Sequence, residues 1–453
     1  MRSRDLLAAA GILFVAACGA RSTLHDPSVN SPGSGGSGTG SATATSGTGV
    51  ITGPGGGPSA LCTTLVGLDP PLELVGIDSP TSAHDPALLQ LAQGDVLALA
   101  RHQAPNAPAV GSVNLIASRF DAWGTWLPDS VFASEVTASA PDFPFVSSAE
   151  PKGTFALGMK PFPQGGPIDC QLQATYGISP DAPSSPGALT AHSNGTCDDY
   201  PISVATAQDG THLVASDLSL GNETGVELRA MTIEVLDPTG ELIISSIESC
   251  ATKRLVGDAL PTTDGFLFVQ SAADSLDCFN PTSPRALFLR HFHGTIEDDF
   301  DVHDGFDDLV YTRILPRAGG SWILYRESGA SAEVQPPAIA VPFGTDSVAG
   351  SEFPVTNPGA GQVAAAAFGG GFAVASVDSI DPSGATVLLR VYSPQGTLTA
   401  QTSFSTNGAW LGADRLAILA SPDSSKLLVG WTGGDSGASA RMMVRRFDCA
   451  NVK

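Results

Sequence analysis

The sequence predicts an all-β protein built as a ring of small antiparallel sheets, and three observations carry that expectation. The 453 residues include 51 Gly and 34 Pro but only 15% charged residues, a composition of many tight turns and few long helices. A unit of strand, Gly-centred turn and strand recurs at near-constant spacing through most of the chain. The hydrophobic content of 42% is enough to require a buried core. Beyond the first twenty residues, no apolar run reaches the length of about 18 needed to span a bilayer as a helix. The nearest, Val363 to Val377, is broken by Gly369-Gly370-Gly371 and reads as two strands around a turn.

The chain opens with Arg2 and Arg4 followed by an apolar run from Leu6 to Ala17, the pattern of a secretory signal core that is too short to cross a bilayer. The run ends in Val15-Ala16-Ala17-Cys18, which resembles the lipobox of bacterial lipoproteins. The resemblance implies removal of residues 1–17, lipidation of Cys18 and a membrane anchor on the periplasmic or cell-surface side of a bacterial envelope. Residues 18–60 form a tether. From Ser31 to Ala60 the chain is almost wholly Gly, Ser, Thr, Pro and Ala, with too little apolar surface to offset the entropy of ordering. About forty residues of such coil have a root-mean-square reach of roughly 35 Å.

Residues 61–453 carry the repeat. Its second strands are Val96–Ala100, Phe155–Gly158, His212–Ser216, Phe266–Gln270, Ser321–Tyr325, Phe372–Ser376 and Leu427–Trp431. The preceding turns fall at Gly94, Gly153, Gly210, Gly265, Gly320, Gly371 and Ser425, in steps of 51 to 59 residues. Several units continue into a third strand and a second turn, as in Val235-Leu236-Asp237-Pro238-Thr239-Gly240, where Asp opens the turn, Pro presets φ and Gly supplies a positive φ. Four antiparallel strands in about 55 residues make one blade of a β-propeller, and seven blades account for the region. Tandem immunoglobulin-like sandwiches need about 100 residues per unit, twice this period. Ser421-Pro422-Asp423-Ser424-Ser425-Lys426 resembles the Ser-Pro-Asp-Gly-Lys turn of TolB-like and WD40-like repeats, with Ser in place of Gly. The Trp-Asp and Gly-His signatures of true WD40 repeats are absent.

The seventh unit stops after its third strand, Arg441 to Phe447, so a closed ring needs a fourth strand from elsewhere, and Thr63–Gly67 is the available candidate. In that arrangement Cys62 meets Cys449 and staples the two ends. The remaining cysteines, Cys170, Cys197, Cys250 and Cys278, make an even set in an exported chain, with Cys170–Cys197 and Cys250–Cys278 the expected pairs.

The 22 Lys+Arg against 45 Asp+Glu give a net charge of -23, which excludes nucleic acid as a main partner. Gly434-Asp435-Ser436-Gly437 matches the nucleophile loop of trypsin-like proteases, but no histidine segment is placed to serve it, and it reads as a loop after a second strand. His291 and His293 share one side of a strand, and Asp298, Asp299, Asp301, Asp304, Asp307 and Asp308 follow. The acidic run is expected one strand further on, out of reach of the histidines, with loose Ca²⁺ binding at Asp299, Asp301 and Asp304 as its only cofactor chemistry. Arg119, Arg290, Arg390 and Arg446 recur near the ends of third strands, which favours a role in bridging blades. The loops after second strands and between blades carry Asp217, Glu223, Glu227, Asp274, Asp277, Glu327, Glu333, Asp378, Asp381 and Asp435 against Lys160, Arg285 and Arg326, so that face is expected to be acidic. The functional expectation is a monomeric, non-catalytic module that recognises a protein or an envelope polysaccharide. The alternative is a glycan-acting hydrolase or lyase using carboxylates at the axis.

Overall fold

The computed structural model describes residues 61–79, 86–102, 113–124, 132–139, 145–160, 172–193, 199–222, 227–251, 255–273, 284–304, 308–329, 335–345, 348–381, 383–406, 409–410, 416–434 and 440–451. Every regular element among them is a strand. After β1 (Cys62–Gly67) and β2 (Leu72–Ser79), six consecutive four-stranded antiparallel sheets follow. The first blade is β3 (Ala87–Gln90), β4 (Val96–His102), β5 (Val113–Phe120) and β6 (Phe132–Ser139). The second is β7 (Val146–Ala149), β8 (Phe155–Met159), β9 (Leu172–Ile178) and β10 (Leu189–Ser193). The third is β11 (Tyr200–Thr206), β12 (His212–Asn222), β13 (Glu227–Leu236) and β14 (Leu242–Ala251). The fourth is β15 (Gly257–Pro261), β16 (Gly265–Ala273), β17 (Pro284–His293) and β18 (Ile296–Asp304). The fifth is β19 (Leu309–Arg317), β20 (Gly320–Glu327), β21 (Ile339–Gly344) and β22 (Phe353–Pro354). The sixth is β23 (Val363–Phe368), β24 (Gly371–Asp381), β25 (Gly384–Tyr392) and β26 (Leu398–Ser405). All seven second strands read from the sequence fall on second strands of the structure.

The seventh blade is made from both ends of the described chain. Short β27 (Ala409–Trp410) and β28 (Ala417–Ala420) pair with β29 (Lys426–Gly434), and β29 pairs with β30 (Ala440–Asn451). β1 supplies the fourth strand, with Leu65 opposite Cys449 and Gly67 opposite Phe447. β2 then covers the other half of β30, with Leu72 opposite Val444 and Ser79 opposite Ala440. Cys62 and Cys449 are joined by a disulfide with Cα atoms 5.5 Å apart, across 387 residues of sequence.

Alternation along the strands explains why the ring holds together. Leu97 and Leu99 of β4 pack with Phe155 and Leu157 of the second blade, while Val96, Ala98 and Ala100 of the same strand pack with Leu428, Met442 and Val444 of the seventh. Successive side chains point to opposite faces of a strand, so a blade with both faces covered needs apolar residues at every position of its second strand. The near-continuous apolar runs that mark the repeat meet that need. Seven apolar clusters result, each shared by two neighbouring blades, including the one between seventh and first.

Among the described residues, the interface between second and third blades has the thinnest apolar cluster, with four buried members: Ala156, Ala174, Tyr176 and Val204. A polar latch reinforces it. The buried Glu150 carboxylate accepts hydrogen bonds from Thr154 Oγ1 (2.5 Å) and Gly177 N (2.8 Å) of its own blade and from Thr206 Oγ1 (2.5 Å) of the next. Tyr176 packs its ring against that of His212, tilted at 38° with centroids 4.3 Å apart, and donates to Leu213 O at 2.8 Å.

The recurring arginines do bridge blades. Arg119 binds Asp95 in its own blade and Asp181 in the second, and Arg446 donates to Ala122 O (3.2 Å) and Gly124 O (3.1 Å) in the first. Arg390 reaches Val355 O (3.1 Å) and Asn357 Oδ1 (2.6 Å), and Arg290 contacts Ser246 Oγ (3.4 Å) while pairing with Glu297 and Asp299. Two equivalent glycines are fixed by space as well as φ. At Gly265 (φ +155°) and Gly320 (φ +145°) an added Cβ would collide with the carbonyl oxygens of Phe292 and Phe343. In the Ser421–Lys426 turn the left-handed position is taken by Ser424 (φ 55°), and its hydroxyl accepts from Gly369 N at 2.9 Å in the sixth blade.

Candidate functional site

A cavity of about 640 Å³ lies where the first strands converge, and all seven blades contribute to its wall. The first strand of each blade borders this cavity. Its apolar lining residues include Leu88, Val146, Ile202, Leu309, Val363 and Ile418. The polar groups concentrate on the third to fifth blades: Tyr200, Ser203, Asp217, Asp258, Asp308, Tyr311, Thr312, Arg313 and Arg326.

Two carboxylates of this cluster, Asp217 and Asp258, are engaged by arginine. Asp217 is buried, and both its oxygens accept from Arg229 Nε, at 2.9 and 3.0 Å. Arg229 in turn lies 5.2 Å from the centroid of the Tyr200 ring, a cation–π arrangement that fixes both groups at the wall. Asp258 accepts from Arg313 Nη1 (2.9 Å) and from Ile314 N (2.9 Å), which ties the first strands of the fourth and fifth blades together. Burial pushes the Asp258 carboxyl above the ordinary carboxylate value, against the opposing pull of Arg313 and the Ile314 amide. The Arg313 side chain keeps 47% of its surface exposed, while that of Asp258 keeps 13%. Arg326 donates to the carbonyls of Ala360 (3.1 Å) and Gly361, and burial lowers its guanidinium pKa. Asp217 and Asp258 are thus each balanced by one arginine.

The acidic face expected from sequence is only partly in view. Asp217 is neutralised by Arg229, exposed Asp378 accepts from Asn357 Nδ2 (2.7 Å), and exposed Asp381 caps its own turn through Ser383 N (2.7 Å). Glu327 ends β20 half-buried. Glu223, Asp274, Asp277, Glu333 and Asp435 lie outside the described residues, as does the side chain of Glu227. Of the three bases, Lys160 and Arg326 are described, and Lys160 is buried rather than displayed.

Of the expected cysteine pairs, Cys62–Cys449 is formed. Cys18, Cys170, Cys197 and Cys278 lie outside the described residues, as does the Ser436 loop. Cys250 sits within β14 opposite Ala230, in the fourth strand of the third blade, and its side chain is not described.

The relation between the histidines and the acidic run differs from expectation. β17 extends through His293, and only Gly294 and Thr295 separate it from β18, so the acidic run is the adjacent strand and not one beyond it. Asp298 pairs directly with His291. The sequence reading places the turn at His293 and the acidic run a strand's length beyond it; the two-residue turn after His293 instead folds Asp298 back beside His291. Ligand atoms of His291, His293 and Asp298 lie within 4.8 Å of one another. The two imidazole rings stack at 4.6 Å between centroids, 29° apart. Burial, reinforced by His293, holds the His291 imidazole below its ordinary pKa, against the carboxylates of Asp264 and Asp298. Of the Ca²⁺ candidates, Asp299 pairs with Arg290 Nε at 3.3 Å, Asp301 is exposed, and the Asp304 side chain is not described.

Sequence reasoning missed Asp258, Tyr311, Thr312 and Arg313 as site residues. The signal was present: polar residues within Gly257–Pro261 and Leu309–Arg317 stand on first strands, which in a propeller border the axis.

No protein-family profile matches the chain, and no curated protein matches it in sequence. Comparison with solved structures finds chains of low identity. A protein of unknown function from Dyadobacter fermentans is 11% identical with a TM-score of 0.48, over 85% of this chain and 99% of that one. An α-L-arabinanase from Penicillium chrysogenum, solved with arabinobiose, is 13% identical with a TM-score of 0.45, over 86% and 100%. An α-L-arabinofuranosidase from Fusarium graminearum is 10% identical with a TM-score of 0.42, over 83% and 96%.

Proposed function

We propose that the protein is a recognition module of the bacterial envelope, anchored to the membrane through a lipidated Cys18. On this reading, the axial cavity takes a polar segment of an envelope polysaccharide or protein. The observation that carries it is the pairing of cavity carboxylates with arginines. Asp217 is committed to Arg229 and Asp258 to Arg313, so these two carboxylates are fixed and charge-balanced on the wall, with Tyr200 beside them. Such a surface suits hydroxyl-rich or amide-rich ligands, which need preformed donors and acceptors beside apolar area. The cavity volume accommodates a few sugar or amino-acid units, within the range typical of ligand sites.

The test is retention of envelope polysaccharide fragments and of envelope proteins on immobilised residues 61–453. Retention that drops at least tenfold in Tyr200→Ala and Arg313→Ala supports the cavity as the binding surface. Equal retention by the parent and both variants places binding elsewhere, and no retention rejects the recognition reading.

One observation favours a second reading, a glycan-cleaving enzyme. The Asp258 carboxyl, raised by burial, has the property a general acid needs. Release of reducing ends from envelope glycan by the parent, and not by Asp258→Asn, would establish that reading over the first.

A further inference from the structure

We propose that His291, His293 and Asp298 form a site for a divalent transition-metal ion of the zinc type on the rim of the fourth blade, away from the axial cavity. Three independent features of the hairpin converge on it. Spacing two apart on β17 puts both imidazoles on one face, and the register places Asp298 directly across from His291 on the same face. Ligand atoms of all three already lie within 4.8 Å of one another. Around a tetrahedral ion with bonds of about 2.1 Å, ligand atoms stand about 3.4 Å apart, so closure asks for a rotation of the exposed Asp298 side chain and a small tilt of the stacked rings.

The third feature is a polar atom without a partner. Nδ1 of His293 is buried and makes no hydrogen bond. Buried ring nitrogens are ordinarily satisfied, and a bonded cation would satisfy this one. Two imidazoles and one carboxylate form a nitrogen-and-oxygen donor set suited to zinc, nickel or copper, whereas calcium takes six to eight oxygens. Alternation on β18 turns the neighbouring Asp299 to the opposite face, where it meets Arg290, so Asp299 is not a ligand. Three protein ligands leave a coordination position for water or for a donor from a bound partner.

The test uses the untagged full chain, stripped with a chelator and titrated with zinc chloride in a calorimeter. Cobalt(II) is then used as a spectroscopic substitute. The expected result is one equivalent of zinc, resistant to excess calcium, with at least tenfold weaker binding in His291→Ala and Asp298→Asn and unchanged binding in Asp299→Asn. Asp298 is exposed, so its substitution reports on binding without endangering the fold. Zinc binding as tight in His291→Ala and Asp298→Asn as in the parent, binding of less than one equivalent by the parent, or displacement by calcium would each overturn the proposal.

Discussion

Replacement of Glu150 tests how the blades are held together. Its carboxylate takes three hydrogen bonds across the interface with the thinnest apolar cluster, from Thr154, Gly177 and Thr206. In Glu150→Ala the Gly177 amide loses its acceptor and cannot re-aim. Thr206 can turn toward His212 Nδ1, already 3.0 Å away, which limits its loss. Bonds to a charged acceptor contribute about 1.5–3 kcal/mol each, so the net loss should be about 4 kcal/mol once Thr206 has found its second partner. Unfolding entropy near 2.1 cal/mol/K per residue over about 390 residues is about 0.8 kcal/mol/K, so the melting temperature should fall by about 5 °C. Glu150→Gln keeps the shape and one acceptor oxygen, and should lose about half as much. Calorimetric melting of the parent and both variants is the assay. A Glu150→Ala melting temperature within 1 °C of the parent would refute the latch, as would a Glu150→Gln loss as large as that of Glu150→Ala.

Other consequences can be checked on the same preparation. Cys62→Ser releases a loop of 387 residues, for which the chain-entropy relation gives an upper figure of about 6 kcal/mol and experience with other disulfides about 2–5, so melting should drop by several degrees; no change would mean the ends are held by strand pairing alone. Arg446→Ala removes the bonds to Ala122 and Gly124 at the seam between last and first blades and should cost about 2–3 kcal/mol in denaturant titration, whereas Arg446→Lys should recover only part of it. Gly265→Ala should cost more than about 2 kcal/mol, because both its φ and the Phe292 carbonyl exclude a Cβ, and wild-type stability in this variant would contradict the local geometry. The folded-state pKa of Asp258 lies above the unfolded value of about 3.9, so folding favours its protonated form and its contribution is lost as pH rises through the folded value. Melting of Asp258→Asn relative to the parent should therefore improve as pH rises from about 3.5 toward 7, and a decline over that range would reverse the assignment.

The fold was legible because its signals are local and repeated. Each unit announces itself by an apolar second strand, where most positions are buried against one neighbour or the other, and by a turn residue that tolerates positive φ. The closure was legible because a half-finished seventh unit and a spare strand beginning at Cys62 could satisfy each other. The recurring arginines were readable for the same reason, since a structural role repeats with the blade and a unique pocket does not. The site was harder. Asp258 and Arg313 are 55 residues apart and meet only because first strands of successive blades converge, a relation that no local pattern displays. His291 and Asp298 are close in sequence, yet their contact hinges on a two-residue turn, and placing that turn at His293 itself was enough to carry the acidic run a strand's length away. Glu150 gave no signal at all: a lone acid before a turn looks solvated until Thr206 of the next blade covers it.

The central claim, a seven-bladed ring closed by its own two ends, is tested most directly by mapping the disulfide in the native protein. Digestion under non-reducing conditions, followed by mass spectrometry, should yield the peptide carrying Cys62 linked to the one carrying Cys449. Cys62 linked to Cys170, Cys197, Cys250 or Cys278 would contradict the closure.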